Sequence, residues 1–281
     1  MGTITAKNGE EEMKTIIYQV SVGNPPAFYN TCNDSVKRYC EKYGIDHIVQ
    51  TEPILKIRPL NSHRSVPAVE RYGYLPVFEK ENAFALLGEY DKVCIIDSDI
   101  YIRDNAPNIF DEIDLDTPFA GVHECDAPIT PQYRNKLLKF SRGQYEKFPE
   151  IMKEYDKAHG VPFYNMGLML FTTKLLEHLN GDTPEQFIRR KEFEGFVNGE
   201  GHWKWSTDQT LLNYWIKTEG IVTKNLDWRW NTIFKAVRDD VLTESYFLHF
   251  VLSSKLPRNG AEIPEIVKDL SKLPPGIRGL G

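Results

Sequence analysis

Short apolar runs alternate with amphipathic segments through the first half of the chain. β-Branched and apolar residues predict a strand over 14–22, and apolar residues at helical spacing predict a helix over 28–43 that Gly44 ends. The same pattern continues with predicted strands near 47–50, 93–96 and 118–122 and predicted helices over 75–89 and 108–113. Strands that alternate with helices need crossover connections, so we expect an α/β fold with a mostly parallel central sheet flanked by helices.

The pattern is less regular in the second half. A charged segment over 134–157 is predicted to be helical, with interruptions near Gly143 and Pro149, and residues 164–171 have the composition of another buried strand. Aromatic-rich stretches follow, and all five tryptophans lie within residues 203–230. Because aromatic rings dominate packing where they cluster, we expect most of these rings in the core or in a pocket wall.

Two carboxylates follow the most apolar strand of the first half. The run that begins at Val93 stops at Asp97, and Ser98 and Asp99 come next. Residues i and i+2 of an extended chain point to the same side, roughly 6.5–7 Å apart, which is unfavourable for two negative charges unless a cation lies between them. A hard divalent cation with oxygen ligands would fit there. The alternative is that this Asp-x-Asp only ends the strand, caps the next helix or forms an Asx-turn.

Composition narrows the set of partners. With 281 residues, 41% of them hydrophobic, the chain can bury a large core, and its net charge of −6 argues against nucleic acid. A phosphorylated small molecule is still compatible if a metal or local cations override the overall charge. The apolar runs are far shorter than the ~20 residues of a membrane helix, and we see no secretion signal. Four scattered cysteines without a CxxC pair favour reduced thiols, so we expect a cytoplasmic protein without structural zinc or disulfides.

Five motifs together resemble those of the GT-A glycosyltransferases, and most closely the retaining enzymes of glycosyltransferase family 8. In order they are IIDSD at 95–99, YNMGLMLF at 164–171, TDQTLLN at 207–213, WRWN at 228–231 and HFVLSSKLP at 249–257. Each is weak alone, but an ordered set of five is hard to obtain by chance. The resemblance implies a GT-A (Rossmann-like) fold with an irregular C-terminal region on the acceptor side.

The resemblance also implies a domain organisation. We expect one catalytic domain over 14–257, with a nucleotide-binding half over 14–124 and an acceptor-side, catalytic half over 125–257. Residues 1–13 are predicted to be a mobile leader, and residues 258–281 a C-terminal tail.

The resemblance also implies a metal site. Asp97, Asp99 and His249 would bind Mn²⁺ or Mg²⁺, since an imidazole with carboxylates suits Mn²⁺ and tolerates Mg²⁺. Lys255 would reach the diphosphate of the nucleotide as a point charge. The alternatives are a histidine that is hydrogen-bonded to backbone within an aromatic cluster and an ordinary surface lysine.

Other residues would bind the nucleotide-sugar. The resemblance places Lys80 near the diphosphate and sugar, and Ser98 near the ribose; a solvated lysine and a turn serine are the alternatives. Asn165 could hydrogen-bond the sugar, and Gly167 permits close approach of a ligand or a chain. A strand start and a packing glycine would explain these last two residues equally well.

Asp208 and Gln209 begin a predicted helix. Asp208 shares one helical stripe with Leu211, Leu212 and Trp215, so its carboxylate points with the buried face, where it needs a partner. Stabilisation of the helix dipole by an N-terminal acid is the simpler interpretation. The resemblance makes Asp208 an orienter of sugar hydroxyls and places Gln209 next to the anomeric carbon. Because an amide is a feeble nucleophile, we prefer front-face attack by the acceptor, with the departing phosphate as base.

The predicted activity is therefore metal-dependent transfer of a hexose from a nucleotide-diphosphate sugar to a carbohydrate acceptor, with retention of anomeric configuration. UDP-glucose and UDP-galactose are the sugar donors that the resemblance implies. Two alternatives stay open: a phosphatase of the haloacid-dehalogenase type, which also has a DxD after an apolar strand, and a non-enzymatic carbohydrate-binding protein.

Overall fold

The computed structural model describes residues 13–59, 66–201, 203, 207–251 and 256–272. Within these ranges the strands are β1 Thr15–Val20, β2 Asp46–Gln50, β3 Lys92–Ile96, β4 Ile100–Ile102, β5 Phe119–His123, β6 Tyr164–Thr172, β7 Thr223–Asn225, β8 Thr232–Ile233 and β9 Phe247–His249. The α-helices are α1 Phe28–Tyr43, α2 Val66–Tyr72, α3 Pro131–Tyr145, α4 Pro149–Met152, α5 Leu176–Leu179, α6 Pro184–Ile188, α7 Glu194–Asn198, α8 Asp208–Thr218 and α9 Ile263–Ile266. Short 3₁₀ helices include Pro76–Phe78, Lys80–Gly88, Ile109–Glu112, Glu124–Asp126 and Trp228–Asn231.

The central sheet has the order β2-β1-β3-β6-β5-β7. Strand β1 is parallel to β2 and β3, β5 is parallel to β7, and β6 runs antiparallel to both β3 and β5. All the strands of this sheet except β6 therefore point the same way, which confirms the predicted α/β fold with a mostly parallel sheet. A smaller sheet has the order β4-β9-β8.

Both faces of the central sheet are covered, as the near-continuous apolar strands predict. Val93 and Ile95 of β3 belong to one buried cluster, which includes Trp215 of α8. Cys94 and Ile96 belong to a second cluster, on which α1 packs. This alternation is what a strand buried on both sides requires, because successive side chains point to opposite faces.

Two strand pairings bring distant parts of the chain to the carboxyl end of β3. Since β6 is antiparallel, its beginning meets the end of β3, and Asp97 N donates to Gly167 O at 2.8 Å. Beyond the turn that follows β3, β4 pairs with β9, with Ile100 opposite His249. The beginning of β6 and the end of β9 are therefore fixed beside the two aspartates.

Two predicted helices differ from the structure. The segment predicted as one helix over 75–89 consists of two 3₁₀ helices that separate at Glu79, whose side chain turns into the neighbouring loop. Helix α3 continues through Gly143, so the predicted interruption there is wrong, whereas the one at Pro149 is confirmed. Among the residues described, no helix is both long enough and apolar enough to cross a bilayer.

Glu79 is fully buried and fastens the loop after β2. Its carboxylate accepts hydrogen bonds from the backbone N–H groups of Ile54 at 2.7 Å, Leu55 at 3.0 Å and Lys56 at 2.7 Å, and from the Gln50 amide at 2.8 Å. A carboxylate can accept all of these bonds, whereas an amide would turn an NH₂ group towards some of the N–H donors. The contact holds this loop against the 3₁₀ helix that begins at the next residue.

We expect Glu79→Gln to lower the free energy of unfolding by roughly 1–3 kcal/mol, because buried N–H groups lose their acceptor. Urea denaturation of the metal-free protein measures this. Glu89→Gln is the matched control, since Glu89 is exposed at the end of the same 3₁₀ segment. Equal stability of the two variants would show that the carboxylate does not fasten the loop.

Candidate active site

A cavity of about 470 Å³ opens at the carboxyl ends of β1 and β3. Its wall includes Lys80, Asp97, Asp99, Asn165, Asp208 and His249. Gln209, Ser98 and Gly167 also line it, so every described residue that the sequence singles out faces one cavity. Lys255 lies outside the described residues. The carboxyl end of the strands is where open α/β sheets bind their ligands.

Asp97, Asp99 and His249 form a compact cluster. One potential ligand atom from each lies within 4.8 Å of the others. His249 Nε2 is 3.2 Å from Asp99 Oδ1 and 3.5 Å from Asp97 Oδ2. Asp99 Oδ1 is buried and receives no hydrogen bond of acceptable geometry from any described residue. Two carboxylate oxygens, one of them this buried acceptor, and one imidazole nitrogen fit a divalent cation. This set of ligands suits Mn²⁺.

The charges in this cluster shift one another's protonation. Burial alone would lower the pKa of His249, but the negative charges of Asp99 and Asp97 beside its ring raise it to about 9. Burial alone would raise the pKa of Asp97, but the Lys80 ammonium and His249 hold it well below its usual range. A cation that bound here would displace a proton from His249 Nε2.

Lys80 lines the cavity, donates hydrogen bonds to Asp97 and to the Met166 backbone, and forms an ion pair with Asp208. Its Nζ is 2.8 Å from Asp97 Oδ1, 2.7 Å from Asp208 Oδ2 and 2.9 Å from Met166 O. Only 8% of the residue is exposed, so the solvated-lysine alternative does not hold. These ion pairs outweigh the effect of burial and raise the pKa of Lys80 above its usual range.

Helix α8 presents Asp208 and Gln209 to the cavity. It begins at Asp208, as the sequence predicts, and the side chain of the preceding Thr207 accepts from Gln209 N. Asp208, Leu211, Leu212 and Trp215 are all buried, which confirms the predicted stripe. The partner of the Asp208 carboxylate is the Lys80 ammonium. Burial nevertheless raises the pKa of Asp208, and nearby Asp97 raises it further, although Lys80 opposes both.

The Gln209 and Ser98 side chains form hydrogen bonds with the backbone of neighbouring strands. Gln209 Oε1 accepts from Met166 N at 3.2 Å, which ties the first turn of α8 to β6. Ser98 Oγ donates to Val20 O at 2.8 Å, so its hydroxyl joins the turn after β3 to the end of β1.

Gly167 lies directly against the His249 ring. A Cβ atom on Gly167 would be 2.1 Å from His249 Cε1, 2.7 Å from His249 Nδ1 and 2.9 Å from Asn165 Oδ1. These distances are too short for any non-bonded contact, so only glycine lets the imidazole reach the aspartates. The close approach predicted at Gly167 is therefore made by the chain's own His249 ring.

We expect Gly167→Ala to weaken Mn²⁺ binding by about 10–100-fold, because the methyl group displaces a candidate ligand. Mn²⁺ affinity is measured from the electron paramagnetic resonance (EPR) signal of the free ion. The matched control is Gly143→Ala in α3, where a Cβ atom would meet nothing within 4 Å. Unchanged affinity in Gly167→Ala would contradict the position of His249 in the metal site.

Sequence reasoning missed several buried polar residues around the cavity. Asn231 contacts His249, Glu124 contacts Asn165, and Glu81 is buried beside Lys80 and Asp208. Asn231 lies in the WRWN motif, which was a signal for its role. No motif points to the two glutamates, because an acidic residue in a 3₁₀ helix gives no indication of burial.

No family model matches the sequence, and no curated protein matches it. Many solved structures are similar to the chain, and LgtC and WbbM are two of those that match it over nearly its whole length. The galactosyltransferase LgtC, in complex with donor and acceptor sugar analogues, has a TM-score of 0.52 and 18% identity, covering 94% of this chain and 99% of LgtC. The bifunctional glycosyltransferase WbbM, in its apo form, has a TM-score of 0.53 and 14% identity, covering 96% of this chain and 51% of WbbM.

These similarities confirm the GT-A-type α/β fold that the motifs imply. The fold of this chain is therefore of the GT-A type. The candidate metal cluster lies at the carboxyl end of its third strand.

Proposed function

We propose that this protein is a metal-dependent glycosyltransferase that moves a sugar from a nucleotide-diphosphate donor to a carbohydrate acceptor. One observation carries the proposal: Asp97, Asp99 and His249 converge in a 470 Å³ cavity at the carboxyl end of β3. The similarity to LgtC and WbbM, which are glycosyltransferases, supports the same reaction class.

Asp97, Asp99 and His249 would hold the cation, which we propose to be Mn²⁺ or Mg²⁺. A cation held there would supply Lewis-acid stabilisation of the negative charge that builds on the leaving diphosphate. Lys80 keeps the Asp97 carboxylate ionised and in place, because its ammonium binds that group directly. Lys255 stays a predicted contact of the diphosphate, and Ser98 a predicted neighbour of the ribose.

We further propose that transfer retains the anomeric configuration through front-face attack. The Asp208 carboxylate is paired with Lys80, and Gln209 Oε1 accepts from a backbone N–H, so both side chains are oriented by protein contacts. A paired carboxylate is better suited to orient sugar hydroxyls than to attack the anomeric carbon. A glycosyl adduct on Asp208 or Gln209, detected by mass spectrometry, would overturn this mechanism.

The sugar donor that we favour is a UDP-hexose, with glucose or galactose as the sugar. The test is nucleotide release over a panel of UDP- and GDP-sugars, with Mn²⁺, Mg²⁺ or EDTA. Metal-dependent release from one donor would support the proposal and identify the sugar, and proton NMR of the product would give its anomeric configuration. Silence across the panel from metal-loaded protein would contradict it; phosphate release from phosphomonoesters or binding to a glycan array would then indicate one of the alternatives.

The alternatives have less support from the structure. A GT-A-type fold differs from what a phosphatase of the haloacid-dehalogenase type would require. Among the described tryptophans, Trp215 and Trp230 are fully buried and Trp203 and Trp228 are half-buried, so none of these four rings is exposed as a carbohydrate-binding surface would require.

A further inference from the structure

A chain of buried hydrogen bonds leads from helix α3 to His249. Tyr133 OH donates to Glu124 Oε1, and Glu124 Oε2 accepts from Asn165 Nδ2 at 3.0 Å. Asn165 Oδ1 accepts from Asn231 Nδ2 at 3.0 Å, and Asn231 Oδ1 is 2.9 Å from His249 Nδ1. Glu124, Asn165, Asn231 and His249 are all at most 8% exposed.

The orientation of the first amide is fixed by a backbone group. Gly167 N–H can only donate, and it donates to Asn165 Oδ1 at 3.0 Å. The other side of the Asn165 amide must therefore be its NH₂ group, which agrees with a Glu124 carboxylate as its partner. A flipped Asn165 would set two donors against each other and two acceptors against each other.

The orientation of the Asn231 amide follows from that of the Asn165 amide. Asn231 Nδ2 donates to both Asn165 Oδ1 and the Asn165 backbone O, which cannot donate in return. Asn231 Oδ1 is thus the atom that faces His249, and an oxygen acceptor there requires a proton on Nδ1 of the imidazole. The opposite ring nitrogen, Nε2, points at Asp97 and Asp99.

We propose that Asn165 and Asn231 are positioning residues that hold the imidazole proton of His249 on Nδ1 and so present Nε2 to the cation. The proposal rests on the proposed function for the identity of the cation. It gives Asn165 a role that differs from contact with the sugar: this amide acts on the metal site through Asn231. Metal-binding histidines usually need such a partner on the second nitrogen, because it fixes the ring and the tautomer.

The hydrogen bond between Asn231 Oδ1 and His249 Nδ1 is tested first without any metal. In protein labelled with ¹⁵N-histidine and kept in EDTA, His249 should show a slowly exchanging proton on Nδ1, assigned by its loss in His249→Gln. Asn231→Leu and Asn165→Leu should both expose this proton to rapid exchange. A residue that only touched the sugar would leave it unchanged, so a protected proton in Asn165→Leu would overturn the proposal.

Mn²⁺ affinity, measured with the metal alone from the EPR signal of the free ion, is the second test. We expect Asn231→Leu to weaken binding by about 10–100-fold, the usual cost of losing such a partner. Asn231→Asp should bind Mn²⁺ more tightly than Asn231→Leu, since its side chain keeps an oxygen towards Nδ1 although it loses the donor to Asn165. An aspartate variant as weak as the leucine variant would contradict an acceptor role.

Asn213→Leu is the matched control for packing. Asn213 is fully buried close by, and its amide bonds to the backbone of Tyr164 and Gln209 and not to Asn165, Asn231 or His249. It should lower stability while leaving the Nδ1 proton protected; equal loss of protection would show a general packing effect and overturn the proposal. If the wild-type protein binds no Mn²⁺, the metal dependence of the proposed function is contradicted. Exchange of the His249 Nδ1 proton still tests whether Asn165 and Asn231 position the ring.

Discussion

We expect Asp99→Asn to lower metal-dependent cleavage of the sugar donor by on the order of a thousandfold, which corresponds to about 4 kcal/mol of transition-state stabilisation. Asp99 Oδ1 is buried, lies 3.2 Å from His249 Nε2 and lacks another partner among the described residues. An amide in its place has no negative charge for the cation. The backbone O of Asp99, which accepts from Phe250 N at 2.9 Å, is unchanged, so the strands should stay in place.

Nucleotide release at saturating Mn²⁺ measures this loss, and Mn²⁺ affinity measured on the same samples separates metal binding from folding. Asp104→Asn is the matched control, because Asp104 is an exposed aspartate just after β4. It should keep the wild-type rate and metal dependence. An Asp99→Asn variant with wild-type metal-dependent release would contradict the assignment of Asp99 as a ligand.

The second large effect concerns stability. We expect Lys80→Met to lower the free energy of unfolding at neutral pH by about 3–5 kcal/mol, the usual cost of removing one partner from a buried ion pair. Lys80 Nζ contacts Asp97 and Asp208, and its loss leaves the buried Asp208 carboxylate without its cation while Asp97 keeps only His249. Urea denaturation in EDTA measures the change.

The same variant should show an altered dependence of stability on pH. In the wild type the pKa of Asp97 is lowered, so its contribution is present above the ordinary carboxylate pKa of about 4 and is lost as pH falls. Without Lys80, burial and Asp97 raise the pKa of Asp208 with no ammonium to oppose them, whereas His249 still lowers the pKa of Asp97. The folded variant then binds more protons above pH 4 than the unfolded chain. Stability of the variant should therefore fall as pH rises from about 4, and the difference from wild type should widen towards pH 7.

Lys92→Met makes the same substitution at another buried lysine. Lys92 Nζ donates to the backbone O of Phe110 at 2.8 Å and is paired with no carboxylate within salt-bridge distance among the described residues. Its loss should lower the free energy of unfolding by less than the loss of Lys80. It should not change how stability depends on pH between 4 and 7. A Lys80→Met variant that behaved like Lys92→Met would show that the ion pairs with Asp97 and Asp208 do not stabilise the fold.

The parts of the site that follow regular strands and helices were predictable. The apolar run up to Asp97 predicted a buried strand, and its end is where the cavity opens. The stripe that contains Asp208 predicted an inward carboxylate, because helical periodicity alone determines which face is buried. The bounds of α1 were predicted at both ends, since Gly44 ends it in a left-handed conformation.

Contacts between elements far apart in the chain were not predictable from periodicity. His249 reaches Asp99 because two three-residue strands pair, and such short strands have no readable pattern. The motif resemblance alone pointed to this histidine. The pairing of Lys80 with two carboxylates and the burial of Glu79 depend on where a 3₁₀ segment packs, which composition does not reveal.

The most direct test of the metal site is pulsed EPR of Mn²⁺ bound to the protein together with UDP. We predict a hyperfine coupling to one histidine nitrogen, lost in His249→Gln, together with couplings to the phosphorus atoms of the diphosphate. These signals would place the cation between His249, which lies against Asp97 and Asp99, and the nucleotide. Bound Mn²⁺ that couples to phosphorus but to no histidine nitrogen would contradict this site.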